Sequence, residues 1–173
     1  MVNIREETPA DHAAVRNINE RAFDRAGEAD LVDALRKAAH PYLSLVAELT
    51  TETDRQLVGH IFFSPVVIES ETESFAAIGL APMAVLPEFQ NQAIGSSLVR
   101  QGLKDCMRLG HHVVVVLGHP EFYPRFGFVP AATKGLRSEY SVPDEVFMVA
   151  ELGPNALAGR QGLVKYHPAF GKV

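Results

Sequence analysis

The apolar positions change period along the chain, and each change marks an element. Residues 2–6 read as a short strand. Thr8, Pro9 and Asp11 then carry the chemistry of a helix start: a hydroxyl N-cap, a proline where its missing N–H costs nothing, and an acidic third position. Val15, Ile18, Ala22 and Phe23 recur at helical spacing. A second helix from about Glu28 carries Leu31, Leu35 and Ala38 on one face until His40-Pro41, where the residue before proline is driven out of the helical region. The period then shortens. Strands are predicted at 45–49, 56–68 and 76–86, separated by polar turns at 50–55 and 69–74, which suits an antiparallel meander.

From Ile94 the residues Leu98, Val99, Leu103, Cys106, Met107 and Leu109 trace an apolar helical stripe that stops at Gly110. His111 to Leu117 follows as a β-branched run without polar alternation, the pattern of a strand covered on both faces, as parallel strands are. Strand, helix and parallel strand make one crossover. A short helix around 122–126, a strand from Phe128 and a late strand at 146–152 complete the pattern. The glycine-rich tail 153–173 is expected to drape over the sheet. No repeat, low-complexity tract or interdomain linker interrupts the chain. The expectation is therefore one domain over 1–173, with a core at 3–152 and the tail packed on it.

The chain has 173 residues and 47% hydrophobic content, enough for a full core. Its 16 basic and 21 acidic residues give a net charge of −5. Neither sign forms a long block, which argues against an extended nucleic-acid or membrane-surface footprint and favours a small-molecule ligand. The single cysteine, Cys106, has no intrachain partner and lies in an apolar helical stripe, so it reads as a buried structural thiol in a reducing compartment. Without a basic-then-apolar start or an apolar run of about 20 residues, the expected location is cytoplasmic. His111 and His112 are expected to sit side by side on a strand, pointing to opposite faces, so no metal site is expected there.

The most informative segment runs from Val85 to Leu98, where an apolar strand turns into a helix through small, uncharged residues. The first turn of a helix leaves N–H groups without intrahelical partners. With the positive end of the helix dipole they favour a phosphate or pyrophosphate. No Gly-Lys-Ser/Thr ending is present to grip a triphosphate with magnesium, and the Rossmann spacing is absent. The segment resembles the acyl-CoA pyrophosphate loop of the GNAT family of N-acetyltransferases, Gln/Arg-x-x-Gly-x-Gly/Ala, through Gln90, Ala93 and Gly95. The family prefers glycine where Ala93 stands. The departure bears on how closely the ligand can approach, since a Cβ is tolerated there only if the local φ is negative.

A second segment, Leu117-Gly118-His119-Pro120-Glu121-Phe122-Tyr123-Pro124-Arg125-Phe126-Gly127-Phe128, resembles the same family's Tyr-x-x-x-Gly-Phe motif. The resemblance covers about 4–152, with elements in matching order. Segments 27–32 and 162–170 also look like a bacterial subgroup, the YhbS-like predicted acetyltransferases. The resemblance implies an α/β (α+β) fold with a mixed, mostly antiparallel sheet and helices on both faces. It implies acetyl-CoA as co-substrate, no metal, and pantetheine amides pairing with the exposed edge of the fourth strand, which here is Met83, Ala84 and Val85. Gln90, Asn91, Gln92, Ala93, Ile94, Gly95 and Ser96 would bind pyrophosphate, with His119 and Tyr123 near the thioester.

The implied reaction is acetyl transfer to a primary amine by direct attack in a ternary complex. It needs a neutral amine, a polarised carbonyl and a proton for the leaving thiolate. Tyr123 suits the last role, since a phenol of pKa about 10 keeps its proton at neutral pH; its bland alternative is packing. Carbonyl polarisation falls to a backbone N–H near Val85. Glu28 leads as general base, at the start of the second helix, against the plainer reading of a carboxylate stabilised by the helix dipole. His119 and His60 follow, and His60, in a strand, reads more readily as a partly buried, hydrogen-bonded side chain. A non-catalytic acyl-CoA-binding module or sensor is the rival reading. The acceptor is an unidentified amine, no nucleic acid or membrane is expected, and a homodimer is left open.

Overall fold

The computed structural model describes all 173 residues and shows the expected elements in order. They are β1 (Val2–Glu6), α1 (His12–Phe23), α2 (Gly27–Ala38), β2 (Leu43–Thr50), β3 (Arg55–Glu69), β4 (Ser74–Val85), α3 (Ile94–Arg108), β5 (Val113–Leu117), β6 (Val129–Pro130), β7 (Leu136–Ser138), β8 (Phe147–Glu151) and β9 (Gly162–Lys165). Pairing follows β1-β2-β3-β4-β5-β8-β6, and β9 joins β3 to β7. The sheet is mixed and mostly antiparallel, as expected. The residues fall into two compact units.

The first unit comprises Met1–Phe63, Pro82–Gly102 and Pro168–Val173. β1 pairs antiparallel with β2, Ile4 opposite Ala47, and β2 pairs antiparallel with β3, Leu45 opposite Ile61. The helical start at Thr8 is a single 3-10 turn, Pro9–Asp11, that feeds α1. Arg5 grips Asp11 with two bonds of 2.7 and 3.1 Å, and the Thr8 N–H adds a third at 2.7 Å. The guanidinium, outweighing desolvation, pulls the Asp11 carboxyl down to about 2. Val15, Leu31, Leu35, Val46 and Phe62 form a dry cluster that Phe170 also touches.

A polar chain is buried in this unit. The Asn19 side-chain amide donates to the Val15 carbonyl at 3.0 Å and to His60 Nδ1 at 3.1 Å. Nδ1 is thus the acceptor, leaving Nε2–H to face the Ser44 hydroxyl at 2.9 Å. Ser44 in turn bonds Glu7, which Arg36 holds at 2.8 and 3.0 Å. Burial pushes the Glu7 carboxyl up, and its bonds to Arg36 and Ser44 more than offset this, so it lies below the usual range. His60 is fully buried, and desolvation pushes its pKa down to about 3.

The second unit comprises Ser64–Ala81 and Leu103–His167. Here β4 pairs parallel with β5 over three rungs, Ile78–Leu80 against Val114–Val116, as the crossover reading required. β5 pairs antiparallel with β8, and β8 with β6. Val113 to Val116 are buried. Three expectations are corrected. The tail does not drape over the sheet: β9 inserts into it, antiparallel to β3 and parallel to β7. Gly162 makes this possible, with φ +145° and no room for a Cβ, which would lie 2.1 Å from the Glu69 carbonyl oxygen. His111 and His112 precede β5 rather than lying on it, because the chain is still turning out of the helix stop at Gly110, φ +90°. Met107 and Leu109 face solvent, at 51% and 49% exposure, because only the stripe through Leu103 and Cys106 points inward.

His60 predicts an acid-linked loss of stability. Its pKa is lower folded than unfolded, so below about pH 6.5 the unfolded chain takes up a proton that the folded chain refuses. Stability present above that pH is lost down to about pH 3, at about 1.4 kcal/mol per pH unit while the imbalance lasts. Urea unfolding at stepped pH should show a steeper acid decline for the native sequence than for His60→Gln. Parallel profiles would show that His60 does not carry the linkage.

Candidate active site

In the first unit β4 ends at Val85, with Met83 and Val85 half-buried and Ala84 buried between them. The Leu86 N–H bonds the Val58 carbonyl at 2.9 Å, and a 3-10 turn, Pro87–Phe89, leads into an exposed loop. The Gln90 side chain donates to the Val85 carbonyl at 3.0 Å. Gln90 therefore ties the loop back to the strand it leaves. Glu88 is tied as well, by Arg21 of α1 at 2.6 Å.

Asn91 and Ala93 both take left-handed backbone, at φ +64° and +65°. Ala93 therefore does not take the negative φ that a Cβ favours. The residue adopts the conformation that the family's glycine takes most easily, because the chain must reverse within a few residues to start α3. Left-handed residues in such a turn help direct nearby N–H groups toward one side, an arrangement suited to anions. The Ala93 carbonyl accepts from both the N–H and the hydroxyl of Ser97, each at 3.0 Å, and so opens the helix ladder. Ile94, Gly95 and Ser96 follow in the first turn, where the helix offers their N–H groups no acceptor. What remains is a set of donors at the positive end of a 15-residue helix.

Two glycines set α3 in place. A Cβ on Gly59 would meet Leu98 at 3.0 Å and Ile94 at 3.1 Å, and one on Gly102 would meet the Phe63 ring at 2.4 Å. The sequence reading missed both, although a lone glycine inside a strand or helix pattern is a sign of close approach.

Glu28 is the second residue of α2 and only 7% exposed. Both its oxygens are engaged by Arg25, Nε at 2.8 Å and Nη2 at 2.5 Å. Of the other proposed bases, His60 is hydrogen-bonded as the plainer reading held, but fully rather than partly buried. His119 is exposed in the second unit.

In that unit Tyr123 opens a 3-10 turn, Tyr123–Phe126, after β5. The His119 carbonyl accepts the N–H of Phe122 at 3.1 Å and of Tyr123 at 3.4 Å. The Tyr123 ring is buried, at 6% exposure, edge-on to Phe122 and Phe128 at 5.0 and 5.6 Å. Burial alone pushes its hydroxyl up to about 12. Gly118, another residue not singled out beforehand, lies flat beneath the ring: a Cβ there would sit 2.3 Å from Cε2. The Gly118 N–H is anchored on the Val146 carbonyl at 2.9 Å. Cys106 is buried and inert, its thiol pushed up to about 12 by burial. No group of three His, Cys, Asp or Glu residues is placed to hold a metal ion.

The acetyltransferase (GNAT) domain family matches residues 3–131. The chain is 37% identical to the uncharacterised N-acetyltransferase YhbS of Escherichia coli over 169 residues, 98% of each chain. A crystal structure of Escherichia coli YhbS in complex with CoA superposes with a TM-score of 0.88 at 36% identity, covering 98% of this chain and 92% of that one. A GNAT acetyltransferase from Brucella melitensis in complex with acetyl-CoA gives a TM-score of 0.78 at 38% identity over 98% of both chains.

Ala93 supplies a test of the loop. A left-handed Cβ costs about 1–2 kcal/mol, and glycine returns at most about 1 kcal/mol of that through the freer unfolded chain. Ala93→Gly should therefore raise the thermal midpoint by about 1–3 °C for a chain of this size, read by circular dichroism. A lower midpoint would mean that the methyl group is packed rather than strained.

Proposed function

The chain belongs to the GNAT acetyltransferase family, and we propose that it moves the acetyl group of acetyl-CoA directly onto a primary amine. The observation that carries this reading is the donor set at the start of α3, delivered by left-handed Asn91 and Ala93. The CoA and acetyl-CoA complexes of the two similar structures support it. Backbone N–H groups from Gln92 to Ser96 hold the pyrophosphate, each charge-assisted bond contributing about 1.5–3 kcal/mol. Gln90 acts by shaping the loop. The edge at Met83, Ala84 and Val85 aligns the pantetheine amides, and an N–H near Val85 polarises the thioester carbonyl. His119 is assigned to the thioester end by the motif it belongs to.

The amine nitrogen attacks the carbonyl carbon, the N–C bond forms and the C–S bond breaks. Tyr123 supplies the proton that converts the departing thiolate to a thiol. A phenol at about 12 stays protonated at every working pH. Desolvation that raises the phenol also raises the thiol, which keeps the transfer feasible. Glu28 receives the proton released by the amine, and Arg25 holds its carboxylate in a fixed geometry.

Tyr123→Phe removes only the hydroxyl. With acetyl-CoA and an amine acceptor in hand, kcat should fall about 10²- to 10⁴-fold while acetyl-CoA dissociation hardly changes. Single-turnover rates equal to the native protein would return Tyr123 to packing. Acetyl-CoA binding without thiol release over a broad amine panel would instead favour a non-catalytic acyl-CoA module.

For Glu28→Gln, the loss of acetylation should be larger near neutral pH than at alkaline pH, where free amine no longer needs a base. A pH-independent loss would assign Glu28 to positioning or to the α2 terminus.

A further inference from the structure

A hollow of about 210 Å³ opens in the second unit, where β7 and the following loop meet the start of β8. Leu136 and Phe147, both buried, are among the residues that line it, and its accessible surface is more polar than apolar. Its wall includes Tyr140, whose ring lies 5.7 Å from that of Tyr166. Around the mouth stand Arg137, Asp144 and Ser141, all exposed.

The charges are the informative part. Ion pairs in this chain engage Arg5, Arg16, Arg21, Arg25, Arg36 and Arg108. Arg137 and Asp144 belong to none, and although they line the same hollow they do not meet each other within the 4.0 Å of a salt bridge. A guanidinium forks naturally onto a carboxylate, and a carboxylate accepts from an ammonium. Opposite charges held apart across one hollow match a ligand carrying both charges. The volume corresponds to about seven waters, below the 300–1,000 Å³ of sites for drug-sized ligands, so it suits a molecule of amino-acid size.

We propose that this hollow binds a small zwitterion of the amino-acid class, its carboxylate on Arg137 and its ammonium on Asp144. Phe147 pairs with Leu117, and Val146 holds the Gly118 N–H, so the ligand lies beside the strand end from which the Tyr123 segment departs. The site is defined by binding and does not depend on acetyl transfer.

The test uses the full chain without acetyl-CoA. Amide NMR titrations compare L-leucine with 4-methylpentanoate, which lacks the ammonium, and 3-methylbutylamine, which lacks the carboxylate. Leucine should shift the amides of Arg137, Ser141 and Asp144 and bind at least tenfold tighter than either analogue. Arg137→Gln should weaken leucine and the acid about tenfold and leave the amine unchanged, whereas Asp144→Asn should weaken leucine and the amine and leave the acid unchanged. Amide spectra confirm that both variants fold. Absence of saturable shifts with leucine, or losses that do not follow the charge removed, would overturn the proposal.

Discussion

The contact of α3 with β3 is the constraint on which the candidate ligand loop depends. Gly59 leaves space that Ile94 and Leu98 fill, and Gly102 leaves space for the Phe63 ring. A mid-helix glycine costs about 1 kcal/mol against alanine. Phe63, fully buried, repays this, since burying a phenylalanine is worth about 1.5–3 kcal/mol. With both contacts fixed the helix can neither roll nor slide. The direction of its free N–H groups is therefore set by packing together with the left-handed residues of the loop.

Burial of titratable groups has different outcomes in this chain, and partners decide between them. His60 loses its charge but keeps a bond on each ring nitrogen, so it is structural. Glu7 keeps its charge because Arg36 and Ser44 meet it. Cys106 lies in apolar surroundings and becomes unreactive. Tyr123 differs from these: its ring is fixed by Phe122, Phe128 and the bare backbone of Gly118, while its hydroxyl responds to burial alone. Rigid placement with an uncommitted hydroxyl is the condition under which a phenol is available to a reacting group.

The elements up to β5 were legible because each has enough residues to show its period, as in Leu98, Leu103 and Cys106 on α3 or Val113 to Val116 on β5. β7 and β9 were not, since three or four residues cannot display alternation and their pairing is non-local. Gly162 was visible, but its need for a positive φ arises from the nearness of Glu69, far away in sequence. Tyr123 and the loop were found through motif spacing. Gly118, Gly59 and Gly102 were missed for a common reason: their role is what stands opposite them. Arg25 likewise escaped notice beside Glu28, because an arginine in an interhelical turn has many solvated alternatives.

Ala93 shows how far a departure from a family pattern should weigh. Read as a sequence, alanine in place of glycine implied either a different backbone or a weakened site. The backbone is the left-handed one regardless, because strand end and helix start are fixed on either side. The net difference between the two residues is about 1 kcal/mol or less once unfolded-chain entropy is included. That is smaller than one charge-assisted hydrogen bond, at about 1.5–3 kcal/mol, of which the helix start offers several. The substitution therefore shifts the stability of the loop without removing the donors that define it, and geometry rather than residue identity is the better guide to whether the site persists.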